Sequence, residues 1–272
     1  MFTRKRQEEP PRTIALLTDF GLADPYVGQM KGVLAKKAPA CPVVDISHDV
    51  APFNVAQAGF FLASSYEHFS RDAVFLAVVD PGVGTSRKIV CVQVGERLLV
   101  APDNGLLCLA LKRAQTAEVR VFDVTAALDA PKNVSSTFHG RDVFAPLAAW
   151  FALGGRPEEI GPEMSADELV CEPWSQTNLG PGSAQCHVLH IDRFGNCVLN
   201  IEAGNLSGVG SLRVAPAGVE IACVATYGDL DQGMSGLLEG SQGFYEIAVN
   251  QGSAAKQFGL SMGDAVSLVW ET

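Results

Sequence analysis

In the first half of the chain, apolar residues come in short, nearly unbroken runs, at 14–17, 43–46, 73–79, 89–94, 97–101 and 119–124. Runs of this length and density read as strands buried on both faces. Segments with helical spacing separate them, at 26–37, 52–69, 106–113 and 144–153. Asp24-Pro25 predicts a helix start, with the Asp as cap and the Pro at the first helical position; Gly154-Gly155 closes the last helix. Strand and helix in alternation predict an α/β class fold with a mostly parallel, doubly wound sheet.

The pattern changes at 161–182, where Pro162, Pro173, Pro181 and several polar residues predict a linker. Beyond it, short apolar runs recur at 186–192, 197–201, 211–214, 221–225, 244–249 and 265–270, with turn signals between them and one short helix at 253–258. That spacing predicts a small antiparallel barrel or sandwich. The expected organisation is a flexible tail at 1–12, an α/β domain at 13–165, a linker at 166–182 and a smaller β-barrel domain at 183–272.

Composition narrows the function classes. The 272 residues are 47% hydrophobic and 18% charged, an ordinary globular balance, and the formal net charge is −10. A nucleic acid or an anionic membrane as partner calls for a basic surface, which this balance argues against. No run reaches the roughly 18 apolar residues that span a bilayer, and the charged first residues lack a signal-peptide core. The seven cysteines are scattered, with no C-x-x-C pair. They are expected to be reduced, buried core residues of a cytoplasmic protein.

Three loops carry the candidate chemistry. The run 73–79 ends on Asp80-Pro81-Gly82-Val83-Gly84, and Arg87 follows before the next apolar run. The run 14–17 ends on Thr18-Asp19-Phe20-Gly21, and Thr137-Phe138-His139-Gly140-Arg141-Asp142 precedes an apolar helix. In an open α/β sheet such strand ends are where ligands bind. Taken singly, Asp80 and Arg87 also fit a salt bridge bracing a loop, and His139 a satisfied core histidine. A metal is not expected, because Arg87 competes with a cation for Asp80 and no H-x-x-x-H or H-x-H spacing occurs. There is no nucleophile elbow, no P-loop and no complete dinucleotide fingerprint. In the second half, Asp192-Arg193-Phe194-Gly195-Asn196 reads equally as a hairpin turn or as a carboxylate, a ring and an amide suited to a purine and an ammonium group.

Together these motifs, with Asp45-Ile46-Ser47-His48, Pro52-Phe53, Ala101-Pro102-Asp103-Asn104-Gly105 and the stretch 241–253, make a chain that resembles the S-adenosyl-L-methionine (SAM) hydroxide adenosyltransferases, or SAM hydrolases. These are relatives of the fluorinating and chlorinating enzymes that attack the same molecule. The resemblance runs from Ile14 to Trp270. It implies an N-terminal α/β domain, a C-terminal antiparallel barrel and a homotrimer, with SAM bound between the first domain of one subunit and the second of its neighbour. It implies hydrolysis of SAM to adenosine and methionine, SAM being the substrate; no cofactor and no metal are expected. Asp80, Arg87 and His139 match the set around the attacking water, a set the halogenating relatives do not keep. By the same resemblance Asp19 holds the ribose hydroxyls with Asp24 nearby, and Phe53 lines the pocket. Phe194 and Tyr227 sandwich adenine, Asn196 is its amide partner, Asp192 takes the methionine ammonium and Ser241 its carboxylate. Glu246 and Val249 line the pocket, although the fluorinating relatives carry Arg at the place of Val249. The alternatives are a non-catalytic adenosine or SAM binding protein and a halide-using transferase of the same family.

Overall fold

The computed structural model of the chain describes residues 11–114, 118–129, 134–215 and 217–271, so most of the stretch expected as a tail lies outside the described residues. The chain forms two compact units, the first ending at Cys171 and the second starting at Glu172.

The first unit contains β1 (Ile14–Thr18), α1 (Tyr26–Lys37), β2 (Val43–Ser47), α2 (Val55–Ser65), β3 (Val74–Val78), β4 (Ile89–Val94), β5 (Arg97–Pro102), α3 (Cys108–Arg113), β6 (Val119–Asp123), α4 (Ala145–Ala152) and β7 (Glu163–Met164). Its seven strands lie in the order β2-β1-β3-β5-β4-β6-β7. The pairs from β2 to β5 are parallel. Those from β5 to β7 are antiparallel, so β4 and β7 run against the other five strands. β1 and β3 are buried along their whole length, as their unbroken apolar sequences require, whereas β2 is an edge strand with two exposed residues. Alternate residues feed opposite faces: Ile14, Leu16, Val74 and Leu76 pack with Met30 and Leu34 of α1 and with the apolar residues of α4. On the other face Phe75 stacks against Tyr66, just past α2. Helices on both faces give the doubly wound arrangement.

Two local expectations are corrected. Asp24 does not cap α1; Pro25 holds the cap position and no side chain accepts there. Pro25 lacks the N–H of an ordinary residue, so one fewer donor needs a cap. The cysteines are not all reduced: Cys108, at the start of α3, and Cys171 form a disulfide, with Cα atoms 5.9 Å apart. Cys171 is exposed, in a stretch without a core to bury it. Cys41, Cys91, Cys186, Cys197 and Cys223 are free thiols.

The second unit contains β8 (Asn178–Gly180), β9 (Ser183–Ile191), β10 (Cys197–Glu202), β11 (Ser211–Ala215), β12 (Val219–Cys223), β13 (Ser235–Glu239), β14 (Phe244–Val249), α5 (Ala254–Phe258) and β15 (Ala265–Val269). The order β10-β14-β13-β12-β11-β15-β9 closes on itself through β9–β10, giving a seven-stranded barrel with β8 added beside β9. All pairings are antiparallel except β12–β13. β8 falls inside the segment expected as linker. The barrel is filled by Cys186, Val188, Leu199, Leu212, Ile221, Leu237, Ile247 and Leu268 among others.

Candidate active site

β1 and β3 are neighbours in register, with Thr18 opposite Val78, so Asp19 and Asp80 leave the same edge of the sheet. The loop after β3 is shaped by Gly84, whose φ is +78°; a Cβ there would sit 2.6 Å from the carbonyl oxygen of Ser136. Only glycine meets both demands, and the contact brings the Asp80 loop against the segment leading to His139. His139 itself stands immediately before a single π-helical turn, Gly140–Phe144, that runs into α4. Such turns break the regular spacing of a helix and re-aim its side chains.

Asp80, Arg87 and His139 meet in one cluster. Arg87 Nε donates to both oxygens of Asp80, at 2.9 and 3.0 Å, and its Nη2 donates to Oδ2 at 2.5 Å. The same Nη2 lies 3.0 Å from His139 Nδ1. Guanidinium has only donors, so Nδ1 is the acceptor and the ring proton sits on Nε2. Burial lowers the His139 pKa below its ordinary value, and the positive charge of Arg87 lowers it further. The ring is therefore held neutral. Asp80 and Arg87 side chains are 6% and 9% exposed. Arg87 also lies over the ring of Phe144. Its Nη1 is buried and finds no hydrogen-bond acceptor among the described residues.

Beside this cluster, Asp19 Oδ2 accepts the backbone N–H of Phe53 at 2.8 Å. Burial raises the Asp19 pKa against the lowering effect of that hydrogen bond, and the charge of Asp80 raises it further. Phe53 has φ of +65°, unusual for a residue with a side chain, and its ring is 71% exposed.

In the second unit the loop between β9 and β10 is a hairpin turn, and it also organises polar groups. Asp192 Oδ1 accepts the backbone N–H of Phe194 and of Asn196, and Oδ2 accepts the Asn196 amide at 3.0 Å. Phe194 is exposed and Asn196 buried. Tyr227 donates to Glu246, a buried carboxylate whose pKa burial pushes up. Burial, the Glu246 hydrogen bond and nearby charges, Asp192 among them, raise that of Tyr227. Ser241 is exposed, in the turn between β13 and β14, and Val249 is buried at the end of β14. Among the described residues, no hydrogen bond or ion pair joins Asp24, Ser241 or Val249 to these clusters.

Comparison with known proteins gives these clusters a context. The SAM hydroxide adenosyltransferase N-terminal domain matches residues 14–161 and the C-terminal domain of the same family matches residues 186–267. The chain belongs to the SAM hydroxide adenosyltransferase family. The (R)-S-adenosyl-L-methionine hydrolase of Thermus thermophilus is 40% identical over 95% of this chain and all of that protein. A crystal structure of a Thermotoga maritima protein superposes with a TM-score of 0.81 at 33% identity, covering 94% of this chain and 99% of that one. The fluorinase of an Actinoplanes species is more distant, at 26% identity over 94% of this chain and 96% of the fluorinase.

Several polar contacts around the clusters are not marked by any motif of the sequence. Asn104 donates its side-chain amide to the carbonyl of Val79 at 2.8 Å, fixing the backbone just before Asp80. Asp142 accepts the Ser135 N–H and is gripped by Arg141. His48 contacts Thr18 beside Asp19. Asn104 read as a turn residue, and nothing in its local sequence points to a carbonyl 25 residues earlier.

Proposed function

We propose that this protein hydrolyses SAM to adenosine and L-methionine, with water attacking the ribose 5′ carbon in line with the sulfonium. The new O–C5′ bond forms as the C5′–S bond breaks. The bonding pair passes to sulfur, methionine leaves as a neutral thioether, and water loses a proton. The observation that supports this most directly is Arg87: its other nitrogens are spent on Asp80 and His139, while buried Nη1 remains as a donor for an oxygen nucleophile. Since His139 Nδ1 is engaged and Nε2 carries the proton, Asp80 is the group left to take the proton of water. Its Oδ1 accepts one hydrogen bond in the structure and has capacity for another. A substrate cation meeting a developing anion loses charge at the transition state, which a partly apolar pocket favours.

On this reading Asp19 holds the ribose hydroxyls, with Asp24 nearby and Phe53 as a wall. Phe194 and Tyr227 stack on adenine, with Asn196 as its amide partner. Asp192 Oδ2 has room for the methionine ammonium beside the Asn196 amide, Ser241 takes the carboxylate, and Glu246 and Val249 line the pocket. The two sets come from different subunits of a homotrimer, as the exposed rings of Phe53 and Phe194 suit. The reaction uses no metal, since Arg87 occupies the oxygens of Asp80 where a cation would sit. Incubating the purified protein with SAM and separating the products tests the proposal. Equal amounts of adenosine and methionine are expected; SAM recovered intact, or a 5′-haloadenosine formed in halide buffer, would overturn it.

A further inference from the structure

The loop that carries Asp19 is tied on both sides of that residue to His48, at the neighbouring strand end. Thr18 and His48 are both buried polar residues, at 0% and 4% exposure. Thr18 Oγ1 lies 2.8 Å from His48 Nδ1. The same hydroxyl accepts the Phe20 N–H at 3.3 Å, and the Gly21 N–H donates to the His48 carbonyl at 2.8 Å. Asp19 thus sits between residues tied on both sides to His48. On the far side of the imidazole, Nε2 lies 3.1 Å from Asp45 Oδ1, close to it but without the alignment of a hydrogen bond. Lys31 donates to the other oxygen of Asp45 at 2.6 Å.

The carboxylate of Asp45 favours the tautomer with its proton on Nε2, which leaves Nδ1 as an acceptor. The Thr18 hydroxyl must then donate to Nδ1, and its lone pairs remain free to accept from Phe20. The opposite tautomer would aim an Nδ1 proton at an oxygen already accepting one and would strand the hydroxyl proton in a buried site, a costly outcome. One histidine in one tautomer therefore serves both the Thr18 hydroxyl and, through it, the Phe20 N–H.

We propose that His48 is a positioning residue for substrate binding: through Thr18 and the backbone of Phe20 and Gly21 it fixes the Asp19 carboxylate for the ribose hydroxyls, with Asp45 setting its tautomer. This rests on the reading of Asp19 as the ribose ligand. The chain of contacts continues from Asp19 to the N–H of Phe53, so the same anchor sets the wall residue at the start of α2. A carboxylate that grips two adjacent hydroxyls needs its orientation held closely, and freedom in the loop is paid back as lost affinity for those hydroxyls alone.

The test is the ratio of dissociation constants for 2′,3′-dideoxyadenosine and adenosine, measured by calorimetry. This ratio isolates the ribose hydroxyls and does not move when a variant merely loses overall stability. The wild-type protein should prefer adenosine by about tenfold or more, as expected for hydrogen bonds to a charged group. His48→Ala should bring the ratio most of the way to unity. His48→Asn, whose side-chain oxygen can accept from Thr18 in place of Nδ1, should restore much of it. Asp45→Ala, at an exposed position that folding tolerates, should give an intermediate loss. A wild-type ratio retained in folded His48→Ala or in Asp45→Ala would overturn the proposal. A ratio near unity already in wild type, unchanged in Asp19→Ala, would instead overturn the ribose role of Asp19 and the inference with it.

Discussion

Arg87 grips Asp80 through Nε and Nη2 and leaves Nη1 buried without an acceptor among the described residues. A guanidinium used only to brace a loop would satisfy all its buried donors on that loop or in solvent. The contact of Nη2 with His139, 52 residues along the chain, ties the pair to a second loop as well. The ion pair and the neutral histidine form one hydrogen-bonded cluster, and its chemistry can be tested one member at a time.

Replacing Arg87 by Lys keeps the charge but not the fork that reaches both oxygens of Asp80 and His139 together. We expect kcat to fall by about 10²–10⁴-fold, the usual scale for a group acting in the transition state, with KM changed far less. Arg87→Ala should in addition lower stability by about 3–5 kcal/mol, because it leaves a buried carboxylate unpaired. Steady-state kinetics and urea denaturation check both; a Lys variant with wild-type kcat would return the pair to a structural role.

The pH dependence follows from His139. Protonation would turn Nδ1 into a donor facing a donor and set a second cation against Arg87. Burial and Arg87 together hold its pKa below the ordinary 6.5. The acid limb of the kcat profile should therefore lie below pH 6.5, and a limb at or above that value would contradict this geometry. The folded state binds this proton more weakly than the unfolded chain does. The stability contribution is thus fully present above pH 6.5 and is lost as the pH falls through the lower folded value.

Phe53 combines a left-handed backbone with an exposed ring. The ring contributes little to the core, and the backbone carries strain of about 1 kcal/mol that glycine would relieve. Phe53→Gly should therefore be more stable than Phe53→Ala by roughly that amount, while both bind adenosine more weakly than wild type. Thermal unfolding and calorimetry on the pair of variants check this. Equal stabilities would mean that the strain is absent.

The disulfide gives a prediction independent of the site. It closes 63 residues of chain, so reduction should cost about 2–4 kcal/mol, read as a lower unfolding midpoint in reductant. Under denaturing, non-reducing conditions Cys108 and Cys171 should resist maleimide while the five free thiols label.

Much of this was legible in the sequence, for reasons that differ by element. β1 and β3 were plain because a strand buried on both faces must be apolar throughout, and α1 because its helical spacing starts directly after Pro25. β13, Ser235-Gly-Leu-Leu-Glu, went unread: it has only two apolar residues, and a glycine at its second position. That glycine is needed, since a Cβ on Gly236 would come within 3.1 Å of the Ala222 carbonyl oxygen on the neighbouring strand. β8 was hidden among prolines because its pairing is supplied by β9 rather than by its own composition. The disulfide was invisible because cysteine spacing says nothing about which side chains a fold brings together.

The site was legible as three polar loops, since two end apolar runs and the third precedes an apolar helix. What the loops do to one another was not. Spacing left Asp80 and Arg87 open between a brace and a ligand site, and only the resemblance to a family tipped it. The neutral state of His139, the stranded Nη1 of Arg87 and the anchoring of Thr18 on His48 depend on contacts across the sheet edge. No local pattern encodes them.

If water held by Arg87 attacks the ribose 5′ carbon, its oxygen ends in adenosine. Turnover of SAM in ¹⁸O-labelled water, followed by mass spectrometry of the products, tests it most directly. One heavy oxygen is expected in the 5′ hydroxyl of adenosine and none in methionine. Unlabelled adenosine, or label in the methionine product, would contradict it.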